Sequence, residues 1–128
     1  SLSDKYSDDS FLAFETVFAT ISDRGADVVL ERAKALYAMN PNFTPVLNMM
    51  GYAYMDKGDL DNAGKKFQEQ IRRAAGSANP YDSMGDYYLE MDNKVDALKY
   101  FEQSAKMGLK ASVSKADSLR SELNKEDN

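Results

Sequence analysis

Apolar residues recur three and four positions apart along this chain, the period of helices with one buried face. Phe11, Phe14, Phe18 and Ile21 predict a helix over Phe11 to Ile21, broken by Asp23-Arg24-Gly25. Val29, Ala33 and Leu36 form the inner stripe of a second helix, from about Ala26 to Met39. Asn40-Pro41 ends it, because the residue before a proline is pushed out of the helical region. Thr44 offers an N-cap, with Pro45 at the first helical position, where its missing N–H costs nothing. Gly58-Asp59 supplies a turn, and a further helix runs from Leu60 to about Ala75, where Gly76 suits its end. Asn79-Pro80 repeats the cap-and-proline start. Met91-Asp92-Asn93 makes the next turn, and Gly108 closes the helix after it. Val113, Ala116, Leu119 and Leu123 mark a last helix over 112–124, capped by Ser112.

Within this pattern lies an echo. Leu47-x-x-Met50-Gly51-x-x-Tyr54 is followed by Ala63-x-x-x-Phe67. Thirty-four residues on, Tyr81-x-x-Met84-Gly85-x-x-Tyr88 is followed by Ala97-x-x-x-Phe101. Between 44–77 and 78–111 six positions are identical, and five of them belong to this spacing. The period and the residue types resemble the tetratricopeptide repeat (TPR) family, in its bacterial-type form. That resemblance implies an all-α fold: a short right-handed α-solenoid of three antiparallel helix pairs plus a C-terminal capping helix, seven helices in all. It divides the chain into a flexible segment 1–9, a single domain 10–124 and a tail 125–128. The repeats fall at about 10–43, 44–77 and 78–111, with the cap at 112–124. The first repeat is degenerate, with Val17 and Thr20 where the glycine and tyrosine belong. The cap covers the open face that a stack of repeats leaves at its end.

A glycine inside a helix costs about 1 kcal/mol against alanine, so its recurrence needs a packing reason. Gly51 and Gly85 let the second helix of each pair approach. Ala63 and Ala97 are its small partners, Phe67 and Phe101 fill the space one turn on, and Tyr54 and Tyr88 bury their rings against the next repeat.

The resemblance also implies a concave groove lined by the first helix of each repeat, holding a protein or an extended peptide. The groove positions are Phe11, Phe14, Phe18 and Ile21, then Pro45, Asn48, Tyr52 and Met55, then Asn79, Asp82, Asp86 and Leu89, with Glu90 beside them. The groove is thus aromatic at one end and acidic at the other. Rigid aromatics suit anchoring pockets. Asp82, Asp86 and Glu90 stand four residues apart, where like charges repel until a cation relieves them. The expected partner is a protein or peptide with apolar anchors and a basic segment. A shift of one residue in the first repeat would turn Phe14, Phe18 and Ile21 into core. The family's familiar clamp of Lys, Asn and Arg around acidic peptide tails finds Phe14, Phe18, Met49, Asn79 and Ser83 at its places. No cation stands among them, which argues against an acidic-tail ligand.

Composition narrows the rest. Sixteen basic against 21 acidic residues give a net charge of −5, which disfavours a nucleic-acid partner. No cysteine or histidine is present, which removes thiol nucleophiles, imidazole bases, disulfides and soft-metal sites. Asp59-x-Asp61-x-Ala63-Gly64, ending at Gln70, partly matches a calcium loop, but Ala63 and Gln70 stand where ligands belong. No cofactor and no catalysis is expected. No run of 18 apolar residues occurs, so no membrane insertion is expected. Ser1 to Asp9 does not read as a signal peptide, and the compartment, cytoplasm or periplasm, stays open. Two other readings stand beside the binding scaffold. One is an accessory TPR region of a larger bacterial enzyme or envelope protein, since Ser77 to Gly85 is similar to TPR pairs that trail bacterial hydrolase domains. The other is a homo-oligomer formed through exposed aromatic faces.

Overall fold

The computed structural model describes residues 25–126, and these are all-α. The helices are α1 Gly25–Met39, α2 Pro45–Asp56, α3 Leu60–Arg73, α4 Asn79–Glu90, α5 Lys94–Lys106 and α6 Lys110–Glu126. The described residues therefore hold six helices, which corrects the expected seven. From Gly25 onward each expected helix is present once and none is split. The seventh was the segment Phe11 to Ile21, which lies outside the described residues together with Phe14, Phe18 and the segment 1–9.

The chain divides within α3 into two compact units, 1–70 and 71–128. In the first, α1 packs on α2 around Val29, Leu30, Ala33, Leu36, Phe43, Val46, Leu47, Met49, Met50 and Ala53. Val29, Ala33 and Leu36 are the stripe the spacing predicts. Phe43, fully buried, lies in the link between the helices. Its N–H donates to Asn40 O, whose own N–H closes α1 on Leu36 O. In the second unit α5 packs on both α4 and α6. Its apolar cluster is smaller: Ala97, Phe101, Ala116 and Leu119, with Tyr88, Leu98 and Leu123 against it.

Two of the turns share one chemistry. After α2, Gly58 N–H donates to Met55 O and Asp59 N–H to Tyr54 O. After α4, Asp92 N–H donates to Leu89 O and Asn93 N–H to Tyr88 O. Both are helix ends closed by a left-handed residue, Gly58 at φ 79° and Asp92 at φ 57°. The following helices start on a matching pair with its residue types exchanged. Asp59 Oδ1 accepts from Asn62 N–H, and Asn62 Nδ2 donates back to Asp59 Oδ2 at 2.7 Å. Thirty-four residues later Asn93 Oδ1 accepts from Asp96 N–H, and Asn93 Nδ2 donates to Asp96 Oδ2 at 2.8 Å. Asp59, a calcium-loop candidate by pattern, is thus a helix cap. Its hydrogen bonds from the Asn62 side chain and backbone hold its carboxyl below the usual range.

Other starts differ from the expectation. Thr44 and Ala78 precede α2 and α4 without any side-chain cap, so proline alone marks these entries. Helix α6 begins at Lys110 rather than at the expected cap, Ser112, which lies buried inside it. In the 34-residue register α6 carries Leu119 where Gly51 and Gly85 stand. It also carries exposed Ser118 and Glu122 in place of Met84 and Tyr88.

Candidate functional site

In both units one face of the first helix is consumed by its partner. A Cβ added at Gly51 would sit 2.6 Å from Phe67 Cζ, and one added at Gly85 would sit 2.7 Å from Phe101 Cζ. No side chain fits either gap, so both phenylalanine rings lie directly on backbone. Ala63, Phe67, Ala97 and Phe101 are all buried at 1% exposure or less. Tyr54 is half-buried against the first unit's cluster, with Lys34 Nζ 5.9 Å from its ring centre. Tyr88 stacks on Tyr100 at 5.4 Å, and Tyr81 stacks on Tyr100 at 6.4 Å. Burial, and then the nearby Tyr88 and Asp96, push the Tyr100 hydroxyl up.

What remains on the first helices is the candidate site, taken unit by unit. On α2, Asn48, Tyr52 and Met55 are half-buried. Tyr52 leans edge-on against Phe67, with ring centres 5.1 Å apart, so its ring is held by the repeat's own anchor. Met49, by contrast, is buried in the core.

On α4 the acidic row is drawn into a polar network. Asp82 is only 7% exposed. Its Oδ1 accepts from Ser112 Oγ at 2.6 Å, and its Oδ2 accepts from Lys115 Nζ at 2.9 Å. The same ammonium donates to Asp86 Oδ1 at 3.2 Å and lies 5.3 Å from the Phe101 ring centre. Ser112 Oγ is also 2.8 Å from Ser104 Oγ, which donates to Ala78 O at 2.9 Å. Two hydroxyl protons serve these three contacts: Ser112 gives its proton to Asp82, and Ser104 shares its own between Ala78 O and Ser112. Burial by itself lowers the Lys115 pKa, but hydrogen bonds and charge from Asp82 and Asp86 outweigh it and the ammonium is raised. Leu89, at 41% exposure, and Glu90 face solvent beyond the network. Asn79 is exposed, while Ser83 is buried and donates to Asn79 O.

Sequence reasoning finds Asp82 and Asp86 by their spacing but misses Ser104, Ser112 and Lys115, which complete the network. The missed signal is long-range, since Lys115 lies 29 residues beyond Asp86. An open cleft of about 590 Å³ lies between α5 and α6, lined in part by Lys99, Glu102, Val113, Asp117 and Arg120. Arg120 in this lining is engaged, reaching Glu102 at 2.9 Å and Asp117 at 3.0 Å. Among the described residues no group of three or more His, Cys, Asp or Glu is placed to hold a metal. Among them, too, no helix is long and apolar enough to cross a membrane.

No family model matches the chain, and no curated protein sequence does. Solved structures do match. The TPR domain of Sgt2 from Aspergillus fumigatus superposes with a TM-score of 0.79 at 11% identity, over 94% of this chain and 83% of that one. The Yersinia enterocolitica type III secretion chaperone SycD, in complex with a peptide of the translocator YopD, gives a TM-score of 0.79 at 9% identity, over 96% and 98%. The first TPR of Spaghetti (RPAP3), bound to the HSP90 peptide SRMEEVD, gives 0.74 at 10% identity, over 90% and 93%. The fold is that of TPR-like helical-repeat domains.

Proposed function

We propose that this chain is a non-catalytic binding scaffold for a protein or extended peptide, with α2 offering a contact face in the first unit and α4 another in the second. The carrying observation is which residues the helix pairs leave over. Gly51 with Phe67, and Gly85 with Phe101, use up one face of each first helix. Half-buried Asn48, Tyr52 and Met55 lie on α2 outside that lock, and Leu89 and Glu90 face solvent on α4. Tyr52 and Met55 supply apolar contacts. Glu90, beyond the network that engages Asp82 and Asp86 with Lys115, steers a basic segment, with Leu89 beside it. Two of the similar structures hold peptides, which supports this class of function. The peptide bound by Spaghetti is acidic at its end, whereas Met49, Asn79 and Ser83 here offer no cation to receive such a tail.

The test compares the intact chain with a Met55→Lys/Glu90→Lys variant in capture of a binding partner. Both positions lie outside the buried clusters, so the melt should stay close to the parent's. Loss of capture with a parental melt is the expected result. Undiminished capture by the variant would sink the assignment of these faces.

A further inference from the structure

Helix α6 is held to α4 and α5 by a narrow apolar seam and by ion pairs. Its buried residues are Ser112, Ala116 and Leu119. Around that narrow seam Lys115 pairs with Asp82 and Asp86, Arg120 pairs with Glu102, and Glu122 and Glu126 pair with Lys94 of α5. Apart from Lys115, these ion pairs are solvent-facing, with side chains 32% to 58% exposed, and such pairs contribute little each. Toward Asp82, Asp86 and Glu102, α6 presents Lys115 and Arg120 beside Ala116, Leu119 and Leu123, while Glu122 and Glu126 meet Lys94. The surface under it is the complement, with Asp82, Asp86 and Glu102 around Phe101 and Ala97. By comparison, α1 and α2 share a cluster of ten buried apolar residues.

We infer that α6 is a displaceable occupant of the α4–α5 face: it fills, with the chain's own lysine and leucines, a surface that accepts a partner helix presenting a cation beside leucines in the same way. This rests on the reading that the acidic end of the domain receives a basic partner. It sets the order of events, because the partner's cation must replace Lys115 between Asp82 and Asp86. An element held by few buried apolar contacts opens at lower free energy than the core beside it, and the ionic part of its hold weakens with salt.

The probe is a labelled synthetic peptide of residues 110–126, with a control peptide carrying glutamate in place of both Lys115 and Arg120. Full-length Lys115→Ala should bind the peptide about tenfold more tightly than the parent does, and neither should bind the control. In the parent, amides of α6 should exchange about tenfold faster than those of α4, and the gap should widen between about 0.05 M and about 0.5 M salt. Parental helicity in Lys115→Ala without tighter peptide binding would overturn the inference. So would α6 amides as protected as those of α4 at both salt levels. If Lys115→Ala does not fold, exchange in the parent decides alone. Tyr52 and Met55 take no part in either readout. Failure here therefore leaves the α2 half of the binding reading standing, and failure of the Met55→Lys/Glu90→Lys test leaves this one standing.

Discussion

The two units are built on one repeat template but are held together differently. The first surrounds α1 and α2 with an almost wholly apolar cluster. The second has a smaller cluster, completed by a buried polar network that runs from Ala78 O through Ser104, Ser112 and Asp82 to Lys115. Position for position the contrast is sharp. Asn48 occupies the place of Asp82, and Gln70 that of Ser104. Gln70 is buried with its Oε1 unpartnered, whereas Ser104 has partners on both sides. The helix-pairing lock, glycine against phenylalanine, is the same in both units. The template thus fixes how two helices approach, and leaves open whether the surrounding contacts are apolar or ionic.

The lock is the first place to press this comparison. Gly51→Ala and Gly85→Ala each push a methyl into a phenylalanine ring, and each should cost about 1–3 kcal/mol by denaturant titration. Near-equal losses would support the shared lock, and a neutral result at either site would break it.

Next comes the ionic half. The raised Lys115 ammonium contributes stability that is fully present below the ordinary lysine pKa of about 10.4 and is lost as pH rises through its higher folded value. Tyr100, also raised, acts in the same direction above about pH 10. Stability should therefore fall as pH rises above about 10. In Lys115→Met it should be lower at neutral pH, because Asp82 loses its cation, and the alkaline fall should be shallower. Parallel pH profiles for parent and variant would remove Lys115 from this role.

The smallest effect separates the two turns. Gly58 and Asp92 occupy the same left-handed position, which glycine adopts without strain. Asp92→Gly should raise the melting midpoint by the equivalent of a few tenths to about 1 kcal/mol, and Gly58→Ala should lower it by about 1 kcal/mol.

Much of this was legible in the sequence, for a physical reason. A gap that only glycine fits, and a ring that only that gap admits, must recur together at one spacing. Gly51 with Phe67, and Gly85 with Phe101, therefore announce the helix pairs directly. The stripe Val29, Ala33 and Leu36 reads the same way, from a single helix. Ser112 does not, because serine near a helix start suggests a cap by type alone, whereas its actual partner is Asp82, thirty residues away. The row Asp82 and Asp86 is visible as repulsion, but the lysine that relieves it comes from another helix. Phe43 sits in a link with no period to betray its burial. The helix entries at Pro45 and Pro80 are found through proline, though the caps beside them make no side-chain bond.

The exchanged pair at the helix starts constrains how such repeats can be recombined. One repeat has Asp59 with Asn62, and the next has Asn93 with Asp96. A crossover inside that four-residue segment gives one chimaera with two aspartates and another with two asparagines. The first sets two carboxylates against each other with no side-chain donor between them. The second keeps an amide donor facing an amide acceptor. Recombination at this point is thus not symmetric in its two products, and modules taken from this protein should be cut outside the segment.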